Sequence, residues 1–366
     1  MKSRKVWLEA GVVLGAASLC AGAHADGSVQ LYGIIDVNIE AVSNQQGSNG
    51  DTTSTVGMRS GGRSPSRWGL RGSEDLGGGL KAVFGLESGI SAANGTLSNP
   101  RFFSRRASVG LSGAWGTILM GRDRTPAFAM FSPYDPSLGG GQYAPLTNML
   151  PSRTDNSVIY SVKGIKAAFS AYYSFNDLKG QSEDDLEALG AFGAAASYTV
   201  SKAFSVMVGY DQVKGETGFS GAQRAGNHGN AENAIVAAKG QFGEVHYKVA
   251  YRYRNTDLHA PALRPVESDL YMLGLEYHFA PKTMLGFTYY QERFNNAPQG
   301  WKGATGSVVH QFALLGTYAL SKRTELYATA SRTRNGPMNM GAAAGYTLAR
   351  GKAGQTATAL GVRHYF

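Results

Sequence analysis

Apolar residues in this chain recur at every second position over long stretches. Val245, Tyr247, Val249, Tyr251 and Tyr253 alternate with a wet set that includes His246, Lys248, Arg252 and Arg254. The same period runs through Tyr271, Leu273, Leu275, Tyr277 and Phe279, and through Val29, Leu31, Ile35, Val37 and Ile39 opposite Gln30, Asp36, Asn38 and Glu40. A period of two means strands with one apolar and one wet face. After residue 25 no window approaches about 18 apolar residues, so helical membrane spans are excluded.

The connections fall into two alternating kinds. Short turns rich in Gly, Pro or Ser lie near 75–79, 112–116, 163–164, 200–202, 241–243, 280–282 and 320–322. Long polar connections lie near 43–54, 91–100, 123–155, 177–189, 214–230, 256–266, 294–306 and 334–354. Seven turns and eight loops join sixteen strands. At about 11 residues each, these hold roughly half the chain, well above the ~20–25% of an ordinary soluble domain. The pattern predicts an all-β fold, a transmembrane sixteen-stranded antiparallel β-barrel, with aromatics at both ends of its outward stripes. Closure also removes edges that would otherwise aggregate. A soluble sandwich or propeller has shorter strands packed on a second sheet. Here the wet face carries Asp36, Glu40, Lys248, Arg252, Arg254 and Glu276, which suits an aqueous lumen.

Residues 1–25 have a basic head (Lys2, Arg4, Lys5), an apolar run and an Ala23-His24-Ala25 box, the pattern of a cleaved export signal. Residues 26–366 then form the barrel domain. Cys20 leaves with the signal, because Leu19 before it is not the small residue that lipoprotein cleavage wants. Removing Lys2, Arg4 and Lys5 from 35 basic residues and Glu9 from 26 acidic ones leaves a net charge of about +7. Such a balance suits anions or an acidic membrane surface, and export argues against nucleic acid.

Segment 123–156, DRTPAFAMFSPYDPSLGGGQYAPLTNMLPSRTDN, does not fit the strand pattern. Pro126, Pro133, Pro136, Pro145 and the triple glycine at 139–141 bar it from a strand pair. It is longer than an idle loop, and Phe128, Phe131, Tyr134, Tyr143 and Met130 give it something to bury.

Several blocks, SVQLYGIIDVNIE, SRWGLRGSEDLGGGLKAVFGLESG at 66–89, RRASVGLSGAWGTILMGRD at 105–123 and the final GVRHYF, resemble the general-diffusion porins of Gram-negative bacteria, especially those of beta-proteobacteria. The resemblance implies a sixteen-stranded barrel, a homotrimer in outer-membrane lipid and lipopolysaccharide, and a third long loop folded inward to narrow the pore. The terminal Phe366 resembles the signal read by the barrel assembly machinery. Irregular backbone is tolerated inside a barrel because channel water satisfies it, which gives segment 123–156 a surface to lean on.

The resemblance places Arg67, Arg71, Arg105 and Arg153 on a basic pore wall, with Asp135 as the acidic residue of the opposing segment. Alternation agrees for Arg67 and Arg71, since Trp68 and Leu70 take the outer face. It disagrees for the next strand, where the parity of Val109 and Leu111 selects Arg106 instead of Arg105. Arg59, Lys81, Arg106 and Tyr134 are weaker pore-lining candidates. Rings of Arg and Lys favour anions, so the expected function is passive diffusion of small hydrophilic solutes and ions with a preference for small anions.

No nucleophile elbow, phosphate loop or dinucleotide fingerprint occurs, and the seven histidines lack zinc-type spacing. Neither a catalytic residue nor a cofactor is expected. Glu183, Asp184 and Asp185 are weak metal candidates in a loop tip. The alternatives are a substrate-specific channel, a plugged structural barrel and an outer-membrane lipase.

Overall fold

Each period-two segment forms a strand paired antiparallel with its neighbour in the chain. The computed structural model describes residues 27–136, 141–175, 190–214, 229–258, 266–296, 307–341 and 345–366. The expected signal at 1–25 and the candidates Glu183, Asp184 and Asp185 lie outside these residues. The strands are β1 (Ser28–Gln46), β2 (Thr52–Ser60), β3 (Arg67–Gly77), β4 (Leu80–Gly89), β5 (Arg106–Gly113), β6 (Gly116–Arg124), β7 (Arg153–Lys163), β8 (Ala167–Ser174) and β9 (Ala191–Ser201). They continue with β10 (Phe204–Lys214), β11 (Gly229–Phe242), β12 (Val245–Leu258), β13 (Val266–Ala280), β14 (Thr283–Asn296), β15 (Val308–Ala319), β16 (Thr324–Arg334) and β17 (Thr356–Tyr365).

The last strand returns to the first, with Val362 opposite Val37, and the sheet closes. β2 pairs with the second half of β1 and β3 with its first half. These two strands are therefore halves of one stave, and seventeen strand segments make a sixteen-stave barrel.

The break between the halves has a local cause. Pro65 removes a ladder donor, and Gly61 takes a left-handed φ of +85°. The chain then wraps the Asp36 carboxylate, which accepts from the backbone N–H groups of Gly62 (3.1 Å), Arg63 (3.0 Å) and Ser64 (2.7 Å). Tyr327 Oη donates to the same carboxylate at 2.6 Å.

Outward positions carry the stripes seen in the sequence. Val249, Leu273, Leu275, Tyr277 and Leu360 are exposed, whereas Lys248, Arg252, Glu276 and Arg363 are buried on the other face. The described residues of segment 123–152 bury apolar side chains against wall residues. Thr125 caps α1 (Pro126–Phe131), accepting from Phe128 N–H, and Pro126 stands at the first helical position, where its missing donor costs nothing. A 3-10 turn (Ser132–Tyr134) and α2 (Pro145–Met149) follow. Phe131, Leu146 and Met149 join one buried cluster with Met207, Leu270, Met272, Tyr290 and Phe294 of the wall. Behind it, Arg252 and Glu292 form a fully buried ion pair at 2.9 Å.

Candidate functional site

β3, β4 and β5 set a row of polar side chains side by side. Their register puts Gly69 opposite Glu87 and Glu87 opposite Arg106. Two glycines keep the row low. A Cβ on Gly69 would stand 2.9 Å from the Tyr32 ring, and one on Gly85 would stand 2.6 Å from the Arg106 side chain. Tyr32 and Arg106 can therefore lie flat across their neighbours. Tyr32 Oη donates to Glu87 Oε2 at 3.0 Å.

Glu87 is the hub of the row. Arg105 Nε donates to its Oε1 at 2.6 Å, and Arg67 Nε lies 3.6 Å from Oε2. Arg106 pairs with Asp123 at 2.8 Å. Arg71 donates twice to Gln30 Oε1, at 3.0 and 2.8 Å, and lies 5.0 Å over the Tyr32 ring. These groups line a cavity of 960 Å³ that also touches Pro126, Ala129 and Met130 of α1. Its basic side chains are Arg67, Arg71, Arg105, Arg106, Arg124 and Lys163, and its carboxylate side chains are Glu87 and Asp123. An excess of fixed positive charge in a narrow passage concentrates anions.

Arg105 and Arg106 both reach this cavity, although they are adjacent in sequence. β5 starts at Arg106, so strict alternation binds Arg106 and leaves Arg105, one residue earlier, free to turn in. Arg153 does not line the cavity; its Nε donates to the Arg105 carbonyl at 2.9 Å. Arg59 lies elsewhere, paired with Glu40 and 5.3 Å over the Tyr346 ring. Lys81 is exposed beside the turn before β4 and is not among the cavity's lining residues.

Asp135 is also absent from the cavity. It is fully buried, and its carboxylate accepts from Thr147 Oγ1 while its carbonyl accepts from Lys248 Nζ at 3.4 Å. Tyr134 is buried as well, donating to Ser205 Oγ at 3.2 Å with Lys239 Nζ 5.0 Å from its ring. Tyr143 and Tyr346 both donate to Glu40 Oε1, at 2.6 and 2.7 Å. Burial, then the Glu40 carboxylate, pushes both phenols well above their ordinary range.

The carboxylates Glu87 and Asp123 were not singled out from the sequence, nor were Arg124 and Lys163. Glu87 was within reach, because it shares the inward parity of Lys81 on the strand that follows the DLGGG turn.

The Gram-negative porin family model matches residues 10–337. An outer membrane porin protein of Bordetella pertussis is 30% identical over 96% of this chain and 98% of its own length. Outer membrane porin protein 32 of Delftia acidovorans is 29% identical, covering 97% of this chain and 99% of that one. Among solved structures, an anion-selective porin from Comamonas acidovorans superposes with a TM-score of 0.74 at 25% identity, over 93% of this chain and all of that one. These relatives are channels, not enzymes. With a closed sixteen-stave barrel and a family match over most of its length, the chain belongs to the Gram-negative porins of the outer membrane.

Proposed function

We propose that this outer-membrane porin passes small hydrophilic solutes and ions by passive diffusion and prefers anions. The supporting observation is the charge of the 960 Å³ cavity, where six basic side chains meet two carboxylate side chains. The similar Comamonas structure is described as anion-selective, which fits the same reading. Selection occurs between the wall carrying Arg67, Arg71, Arg105 and Arg106 and segment 123–152, which narrows the passage. Arg153 supports Arg105 from behind, and Asp135 with Tyr134 anchors the segment. Anions are stabilised by several guanidinium groups whose own repulsion Glu87 and Asp123 offset.

The working form is a homotrimer in outer-membrane lipid and lipopolysaccharide, as suggested by a trimeric form among structures of the same fold. Residues 1–25 are removed on export, and Phe366 is the end read by the barrel assembly machinery.

Reversal potentials across a salt gradient in a planar bilayer test the selectivity. Anion preference at neutral pH, weakened when Arg67 and Arg71 are both changed to Gln, is the expected result. Cation preference in the unaltered protein would overturn it. Competition for flux by a single solute would instead favour a substrate-specific channel.

A further inference from the structure

His246 and His278 are far apart in sequence, but the β12–β13 register brings them together. His246 lies opposite Glu276, and His278 is two residues further along the same face. The two imidazole rings are 4.6 Å apart between centroids. One ligand atom from each of His246, Glu276 and His278 falls within 4.8 Å of the others.

Two contacts show how the group is oriented. Lys248 Nζ holds Glu276 Oε1 at 2.7 Å, leaving Oε2 4.0 Å from His278 Nε2. That ring nitrogen is shielded and has no hydrogen-bond partner among the described residues. His278 is also fixed through its backbone, whose N–H donates to the Glu244 carbonyl at 3.0 Å in the adjoining turn.

We propose that His246, Glu276 and His278 form a binding site for a divalent transition ion, with Zn²⁺ as its best fit. The site lies on the inner face of the barrel at its short-turn end. Two imidazole nitrogens and one carboxylate oxygen are a donor set that suits zinc and leaves a fourth position for water. Calcium and magnesium want oxygen donors throughout. Ligands on one tetrahedral zinc, at about 2.0–2.2 Å from the metal, stand roughly 3.3–3.6 Å apart. Rotation of the two histidine side chains by about an ångström gathers the three atoms. Lys248 fixes the carboxylate as an outer partner does in other metal sites, and its positive charge keeps affinity moderate. The ion would add two positive charges to the wall already carrying Lys248.

The test uses the folded full barrel in detergent, titrated with Zn²⁺ by calorimetry and with Co²⁺ by visible absorption. One ion per chain is expected, with Co²⁺ bands of a tetrahedral nitrogen–oxygen site and not those of the hydrated ion. His246→Ala and His278→Gln should each weaken Zn²⁺ at least tenfold, since even outer-shell changes cost about that much. His310→Ala, on β15, should leave binding unchanged. Absence of saturable Zn²⁺ binding, a hydrated Co²⁺ spectrum, or wild-type affinity in the folded protein carrying both His246→Ala and His278→Gln would overturn the site. None of these readouts depends on conductance.

Discussion

Glu87 serves two positive partners at once, and this sets the charge that the cavity shows to an ion. Its oxygens meet Arg105, Arg67 and the Tyr32 hydroxyl. Replacing it by Gln leaves Asp123 as the remaining carboxylate side chain against six basic ones. A unit charge about 7 Å from a passing ion is worth about 0.6 kcal/mol in water-like surroundings, or about threefold in occupancy. Glu87→Gln should therefore raise anion occupancy about threefold and lower cation occupancy by about the same factor, read as a shift of reversal potential toward anion preference. An unchanged potential would mean that ions do not pass along this row. Some of this is legible in sequence. Trp68 and Leu70 fix the side on which Arg67 and Arg71 lie, because a strand must alternate. Arg105 is not legible by alternation, since it stands just outside β5. The meeting of His246 with His278 is not legible either, because it depends on strand register and no local spacing records that.

At the scale of elements, the described residues of segment 123–152 are fixed by polar contacts as well as by a buried core. Tyr143 and Tyr346 converge on Glu40, while Thr147 caps the Asp135 carboxylate. The two phenols keep their protons in the folded protein at pH values where an unfolded chain begins to lose them, at about 10. The folded state then binds more protons than the unfolded one, so stability falls as pH rises through that range. Denaturant midpoints in detergent should be level below about pH 9 and decline above about pH 10. With Tyr143→Phe and Tyr346→Phe together the decline should shrink, and an identical decline would assign it to other groups. The proline and glycine content predicted an irregular segment with apolar residues to bury, and two short helices with Phe131 and Leu146 in the core fit that reading. The break at 61–66 was hidden. It depends on Asp36 collecting three N–H donors, and carboxylate burial leaves no mark on periodicity.

For the molecule as a whole, β1 holds together the two ends of the chain. It pairs with β17 on one side and with β2 and β3 on the other. Sixteen staves could be counted from sequence because turns and loops alternate, and closure followed because so many half-apolar strands leave no tolerable edge. The seam itself is built from residues at the extreme carboxy terminus. Gly33 exchanges backbone hydrogen bonds with Phe366, at 3.1 and 3.2 Å, and lacks the Cβ that would overlap the Phe366 ring. The ring and the backbone bonds can be separated experimentally. Phe366→Ala keeps the bonds and removes a ring that is 43% exposed, at a cost of about 1–2 kcal/mol. Deleting Phe366 also removes both bonds, each worth about 0.5–1.5 kcal/mol, for a total of about 2–5 kcal/mol. The unfolding midpoint in detergent should therefore fall further for the deletion than for Phe366→Ala. If the two variants unfold alike, the ring alone secures the seam and the terminal backbone pairing adds nothing to closure.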